Sequence, residues 1–158
     1  MAEAKTTMSR KTEGVLTREA LIELLNEDLA REYQAVIAYV VYSQVIKGAA
    51  YMTIARELEK HAGEELQHAL ILAKQIDYLG GVPAVAPKEV RRSEDPAAML
   101  RFDLENEVQT IRNYRQRIRQ ADAMGEFALS EALREIIIQE QDHAIDLATA
   151  LGVDVPQM

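Results

Sequence analysis

The stretch Leu58-Glu59-Lys60-His61-Ala62-Gly63-Glu64-Glu65-Leu66-Gln67-His68-Ala69-Leu70-Ile71-Leu72 decides the fold. Leu58, His61, Glu65, His68 and Leu72 recur at steps of three or four, so one helix face carries leucine at both ends and chemistry-bearing groups between them. The central Glu-x-x-His recurs as Glu140-Gln141-Asp142-His143, and the spacing around it recurs too. Glu32 lies 33 residues before Glu65, and Glu107 lies 33 residues before Glu140. Each unit therefore supplies one helix with a lone carboxylate and the next with a carboxylate and an imidazole at i, i+3.

Working outward, four segments show helical periodicity: roughly Thr17–Ile46, Ala49–Leu79, Asp95–Met124 and Glu126–Leu151. Their seams match: Leu25, Leu29, Glu32, Val36, Tyr39; Leu58, His61, Glu65, His68, Leu72; Leu100, Leu104, Glu107, Ile111, Tyr114; Leu133, Ile136, Glu140, His143, Leu147. Gly48, Gly80-Gly81, Asp95-Pro96, Gly125 and Gly152 with Pro156 punctuate them as helix starts and stops. The first and third connections are short, which predicts two antiparallel hairpins. The second, Gly80 to Glu94, holds Pro83 and Pro87. Its fifteen residues reach about 50 Å when extended, whereas a 28-residue helix is about 42 Å long, so this loop can cross the whole bundle. The expected architecture is all-α: a ferritin-like four-helix bundle of two hairpins joined by a long crossover, with no fifth helix. The expected divisions are an N-terminal tail over residues 1–16, the bundle over 17–152 and a short tail over 153–158.

Composition narrows the chemistry. With no cysteine there are no disulfides, thiolate zinc sites or iron–sulfur clusters, and a cytoplasmic setting is expected. The first residues lack an apolar run, and no stretch reaches the roughly 18 apolar residues of a membrane span. Net charge is −8, from 26 acidic and 18 basic residues, which suits cations better than nucleic acid.

Four carboxylates and two imidazoles near mid-helix, in seams otherwise filled by aliphatic residues, cannot all be buried without compensation; each unpaired carboxylate costs several kcal/mol. Lone glutamates usually sit on a solvated face or pair with arginines such as Arg31 or Arg56. Six groups at matching registers point instead to metal: Glu32, Glu65, His68, Glu107, Glu140 and His143 as ligands of two divalent ions, with oxygen-rich donors favouring Fe²⁺ or Mn²⁺ and Zn²⁺ as a substitute. Tyr39 and Tyr114 each lie seven residues after a lone glutamate, as core tyrosines, partners of a ligand carboxylate or one-electron donors.

The runs Leu25-Asn26-Glu27-Asp28-Leu29-Ala30-Arg31-Glu32-Tyr33-Gln34-Ala35-Val36-Ile37-Ala38-Tyr39, Glu64-Glu65-Leu66-Gln67-His68-Ala69, Met99-Leu100-Arg101-Phe102-Asp103-Leu104-Glu105-Asn106-Glu107 and Glu140-Gln141-Asp142-His143 resemble the four helices of bacterioferritin over about Thr17 to Leu151. The resemblance implies Glu65 and Glu140 as bridging carboxylates, Glu32 and Glu107 as terminal ones, and His68 and His143 as the nitrogen ligand of each iron. It implies a ferroxidase with catalytic residues Glu32, Glu65, His68, Glu107, Glu140, His143 and Tyr39, oxidising Fe²⁺ to Fe³⁺ with O₂ or H₂O₂, in a homo-oligomer of two or more copies. Leu66 stands where haem-binding members carry methionine, so haem is not expected. Cage-forming members carry a fifth helix that this chain does not match.

The same resemblance sets the competing readings. A rubrerythrin-like peroxidase would carry a carboxylate where Thr110 stands, and a manganese catalase would differ in its metal. From other classes come a non-catalytic metal-stabilised bundle and a DNA-protecting mini-ferritin, for which the tail offers only Lys5, Arg10 and Lys11 against Glu3 and Glu13. Glu64 and Gln139, each preceding a Glu-x-x-His, occupy positions where relatives often orient the opposite imidazole with an acid; Gln139 departs from that pattern. His61 reads either as a hydrogen-bonded histidine or as an accessory stop for iron.

Overall fold

The computed structural model describes residues 15–158; the expectations for the N-terminal tail, with Lys5, Arg10 and Lys11, lie outside the described residues. Helix α1 spans Arg18–Val45, α2 Met52–Tyr78, α3 Pro96–Ala123 and α4 Phe127–Leu151, and among the described residues there is no strand. Thr17 starts α1, its hydroxyl accepting from the Ala20 amide at 3.1 Å. Asp95 starts α3 in the same way, accepting from the Ala97 amide at 3.2 Å, with Pro96 in the first turn. Gly152 closes α4 at φ 70°, a left-handed conformation that glycine adopts without cost.

The start of α2 differs from the sequence reading. Residues Ala49–Tyr51 form a single 3₁₀ turn, and the α-helix begins only at Met52. The cause is Gly48 at φ 121°, which reverses the chain so tightly that the Tyr51 amide bonds back to the Gly48 carbonyl at 3.0 Å.

Helices α1 and α2 form one antiparallel hairpin and α3 and α4 the other; α1 packs on α3 and α2 on α4. The crossover runs along α1, strapped by hydrogen bonds that climb the helix. Asn26 Nδ2 donates to the Val82 carbonyl and its Oδ1 accepts from the Ala84 amide. Further along, the Lys88 amide donates to the Ala30 carbonyl, Gln34 Nε2 to the Glu89 carbonyl and Tyr42 hydroxyl to the Arg91 carbonyl. A loop that would otherwise carry unpaired backbone groups thus finds its partners on α1, and it delivers α3 antiparallel to that helix.

Of the twenty seam residues, all but half-buried Val36 are buried. The apolar ones separate into two clusters. One gathers Tyr39, Tyr42, Leu58, Leu100, Leu104 and Leu147 toward one end of the bundle. The other gathers Leu25, Leu29, Leu72, Tyr114, Leu133 and Ile136 toward the opposite end. Between them lies a polar belt.

Candidate metal centre

All six residues of the belt, Glu32, Glu65, His68, Glu107, Glu140 and His143, are between 0 and 3 % exposed. They come together as two overlapping quartets, Glu32–Glu65–His68–Glu140 and Glu65–Glu107–Glu140–His143, in each of which one donor atom per residue lies within 4.8 Å of the others. Glu65 and Glu140 belong to both. His68 Nδ1 is 2.9 Å from Glu65 Oε2, 3.3 Å from Glu140 Oε1 and 3.7 Å from Glu32 Oε2. His143 Nδ1 is 3.0 Å from Glu65 Oε1, 3.3 Å from Glu140 Oε2 and 3.5 Å from Glu107 Oε1. The two oxygens of each central carboxylate thus face one imidazole apiece, an arrangement with a pseudo-twofold axis between α2 and α4.

Each imidazole is fixed from behind. His143 Nε2 contacts Glu64 Oε2 at 2.8 Å, and His68 Nε2 contacts Gln139 Oε1 at 2.6 Å, so both Nδ1 atoms turn inward. The lone glutamates are fixed crosswise: Tyr39 of α1 donates to Glu107 of α3, and Tyr114 of α3 donates to Glu32 of α1. Arg31 and Arg56 do not pair with the six; Arg31 Nη2 donates instead to the Asn106 carbonyl at 3.1 Å. His61 is buried, its Nε2 3.1 Å from Asp146 Oδ2, and its ring stacks on His143 with centroids 4.0 Å apart.

The electrostatics follow from packing six ionisable groups in a dry space. Burial raises Glu65 well above its ordinary value, with Glu140, Glu107 and Glu32 adding repulsion. Burial lifts Glu140 to about 8, helped by Glu107 and Glu32. Burial also acts on Glu32 and Glu107, but hydrogen bonds outweigh it. Those from His68 and Glu65 lower Glu32, and the bond and charge of His143 hold Glu107 at about 2. Burial opposes protonation of His68 and His143, yet the carboxylates facing them, hydrogen-bonded or merely close, raise both. These directions favour imidazolium at His68 and His143, carboxylate at Glu32 and Glu107 and carboxylic acid at Glu65 and Glu140, a metal-free pattern without net charge.

The donor set fits a pair of divalent cations. Both oxygens of Glu140 are buried without a hydrogen-bond partner, and they sit between the two inward Nδ1 atoms. Leaving such atoms unsatisfied is expensive, whereas a cation on each side would satisfy both. Three carboxylate oxygens and one nitrogen face each of two positions, a hard, oxygen-rich set unlike a thiolate-rich structural zinc site.

Four polar residues near the centre were not singled out in the sequence. Asp28 and Arg117 form a buried pair, with Arg117 Nε 2.7 Å from Asp28 Oδ2; burial lifts Asp28 to about 6 and Arg117 restrains it there. Asp103 is buried with Oδ2 unpartnered, and burial with the nearby Glu107 raises it well above its ordinary value. Asp146 holds His61. A signal was available for two of them: Asp28 and Asp103 precede Glu32 and Glu107 by the same four residues, one turn along the same seam.

Comparison with known proteins points the same way as this geometry. A family model described as the ferritin-like domain matches residues 22–154. Bacterioferritin of Brucella melitensis is 26 % identical over 136 residues, covering 84 % of this chain and 83 % of that protein. Among solved structures, a ferritin-like, diiron-carboxylate protein from Bacillus anthracis shares 35 % identity at a TM-score of 0.81, covering 85 % of this chain and 96 % of that one. A dodecameric thioferritin from Bacteroides fragilis, described as bacterioferritin-related, shares 27 % at a TM-score of 0.80, covering 89 % of each chain. With a four-helix bundle, a crossover between hairpins and a paired carboxylate–imidazole belt already in place, these matches make the chain a member of the ferritin-like family, with bacterioferritins among its relatives.

Proposed function

We propose that this protein is a ferroxidase, with residues 17–152 as the working unit. Two Fe²⁺ ions are the substrate. Glu32 and His68 hold one, Glu107 and His143 hold the other, and Glu65 and Glu140 are shared between them. Each ion gives up one electron; the two electrons, with two protons, reduce O₂ to H₂O₂ or, with H₂O₂ as oxidant, yield two molecules of water. The observation that carries this reading is the pair of overlapping quartets, with the orphaned Glu140 oxygens at their shared edge.

The chain's own task is to hold, neutralise and supply protons. Glu64 and Gln139 keep Nδ1 of each imidazole turned inward, and Tyr39 and Tyr114 fix the lone glutamates. Protons displaced from Glu65, Glu140 and the imidazoles are released where the oxidant needs them. Tyr39 lies edge-on to His61 and His143, with centroids 5.2 and 5.9 Å away, a position for an electron donor as well as for orienting Glu107. A homo-oligomer accompanies this reading, because Ile37, Val41 and Val45 expose an apolar stripe at i, i+4 spacing on α1 that a second copy would bury. Anaerobic Fe²⁺ titration followed by an O₂ or H₂O₂ pulse tests it. Two ions per chain and oxidation faster than in Glu140→Ala are expected; oxidation no faster than free Fe²⁺ in solution refutes the ferroxidase. Metal analysis of protein purified without added metal separates iron from manganese.

A further inference from the structure

A shift of 75 residues carries Asp28, Glu32, Tyr39, Glu65 and His68 onto Asp103, Glu107, Tyr114, Glu140 and His143. The inner donors of the two half-sites are therefore the same in kind. Their outer neighbours are not: the same shift carries Glu64 onto Gln139, His61 onto Ile136 and Tyr42 onto Arg117.

These three mismatches all fall against the centre, and the first gives the two half-sites a direction. Behind His143, Nε2 meets a carboxylate, Glu64, at 2.8 Å; behind His68, Nε2 meets a neutral amide oxygen, Gln139, at 2.6 Å. An imidazole that offers Nδ1 to a cation keeps its proton on Nε2 and donates it outward. A carboxylate draws on that proton more strongly than an amide, leaves more electron density at Nδ1, and makes the better ligand. Glu64 also approaches exposed Lys60 at 3.7 Å, a solvated pair that softens its charge without removing it. Next, the His61 ring, held by Asp146, stacks on His143, whereas the residue equivalent to His61 by the 75-residue shift is the aliphatic Ile136. Finally, Arg117 is paired with the Asp28 carboxylate one turn from Glu32, whereas near Glu107 the corresponding position holds Tyr42 and the Arg91 guanidinium acts on Asp103, so this mismatch gives neither side a net cation. The His68 side thus lacks the outer carboxylate that His143 has.

We infer that the two half-sites bind divalent cations unequally: the half built on Glu107 and His143 fills first, and the pairing of Glu64 against Gln139 sets the order. Both are positioning residues, acting through the imidazoles. The inference rests on the dinuclear reading above and gives it a direction, namely a cation that waits at His143 until a second reaches His68.

The test uses Zn²⁺, which is silent to oxidants. Crystals of the full chain given one Zn²⁺ per chain are expected to show stronger anomalous density beside His143 than beside His68. Calorimetric titration is expected to resolve two steps, with dissociation constants at least about tenfold apart. Gln139→Glu should tighten the weaker step and close the gap, while Glu64→Gln should weaken the tighter step by about 10- to 100-fold, with far-UV circular dichroism showing both variants folded. Equal densities, stronger density beside His68, or a Gln139→Glu protein with both steps unmoved would overturn the inference. Absence of Zn²⁺ from both halves of a folded protein would instead overturn the dinuclear reading beneath it.

Discussion

Loading the centre should expel protons, and their number follows from the protonation pattern. In the metal-free cluster His68 and His143 are held protonated by the carboxylates around them, and Glu65 and Glu140 are held protonated by burial and repulsion. Glu32 and Glu107 are ionised. Two divalent cations need four carboxylates and two neutral imidazoles, so about four protons leave per pair near pH 7, and the belt is neutral before and after. The sign is that binding strengthens as pH rises. The overall binding constant should climb by about four powers of ten per pH unit around pH 6–7, easing to about three once Glu140, at about 8, has lost its own proton. Zn²⁺ added to metal-free protein in weak buffer on a pH-stat counts the protons directly. A release below about two per pair, or an affinity that ignores pH, would mean the cluster is already ionised and the electrostatic account is wrong.

Other perturbations separate the parts of the bundle. Asp28→Ala leaves buried Arg117 without its carboxylate, with only Gln120 Oε1 at 3.1 Å as a partner, and should cost about 3–5 kcal/mol in urea unfolding, whereas Asp103→Asn, which mimics an acid raised by burial, should stay within about 1 kcal/mol of the parent; equal losses would contradict the contrast. Gly81→Ala drives a Cβ into Ile22 Cγ2 and places it 3.1 Å from Ile76 Cγ2, and overpacking of about 1–3 kcal/mol should lower Tm measurably. Tyr39→Phe should keep two-ion stoichiometry but slow oxidation of Fe²⁺ in stopped flow; an unchanged rate would reduce Tyr39 to a core residue. Metal-free protein should melt highest in mildly acidic solution. Glu140, raised from 4.5 to about 8, contributes stability that is present below 4.5 and lost as pH rises through 8, and the raised imidazoles add to that loss above 6.5. Glu107, held at about 2, contributes stability that is present above 4.5 and lost as pH falls through 2. Calorimetry showing Tm flat or rising from about pH 5 to 8 without metal would contradict this balance.

Much of this was legible in the residues because the two strongest signals, apolar period and punctuation, agree. Thr17, Asp95 with Pro96, and Gly152 mark helix ends by local chemistry alone, and the observed helices begin or end within a few residues of them. The convergence of six side chains was legible for a different reason: equal spacing in two hairpins implies equal height in the bundle. What stayed hidden depends on contacts between distant segments. Nothing in the neighbourhood of Arg117 says that it reaches Asp28 on another helix, and nothing in Gln34 says that it ties down the crossover at Glu89. The late start of α2 is not legible in Ala49, Ala50 and Tyr51, which suit either helix type; the backbone angle at Gly48 makes the choice. Gln139, a departure from the resemblance, takes up the expected place behind His68 because an amide oxygen accepts a proton as a carboxylate does.

The two apolar clusters have a consequence for traffic. Apolar clusters of buried aliphatic and tyrosine side chains lie toward either end of the belt. Its polar mouth lies sideways, between α2 and α4, where Lys60, His61, Glu64, Gln139, Asp142, His143 and Asp146 line a recess of about 90 Å³. Under the ferroxidase reading, an ion entering there would meet acidic side chains at the threshold and the rear of the His143 imidazole just inside, a lateral approach to the belt.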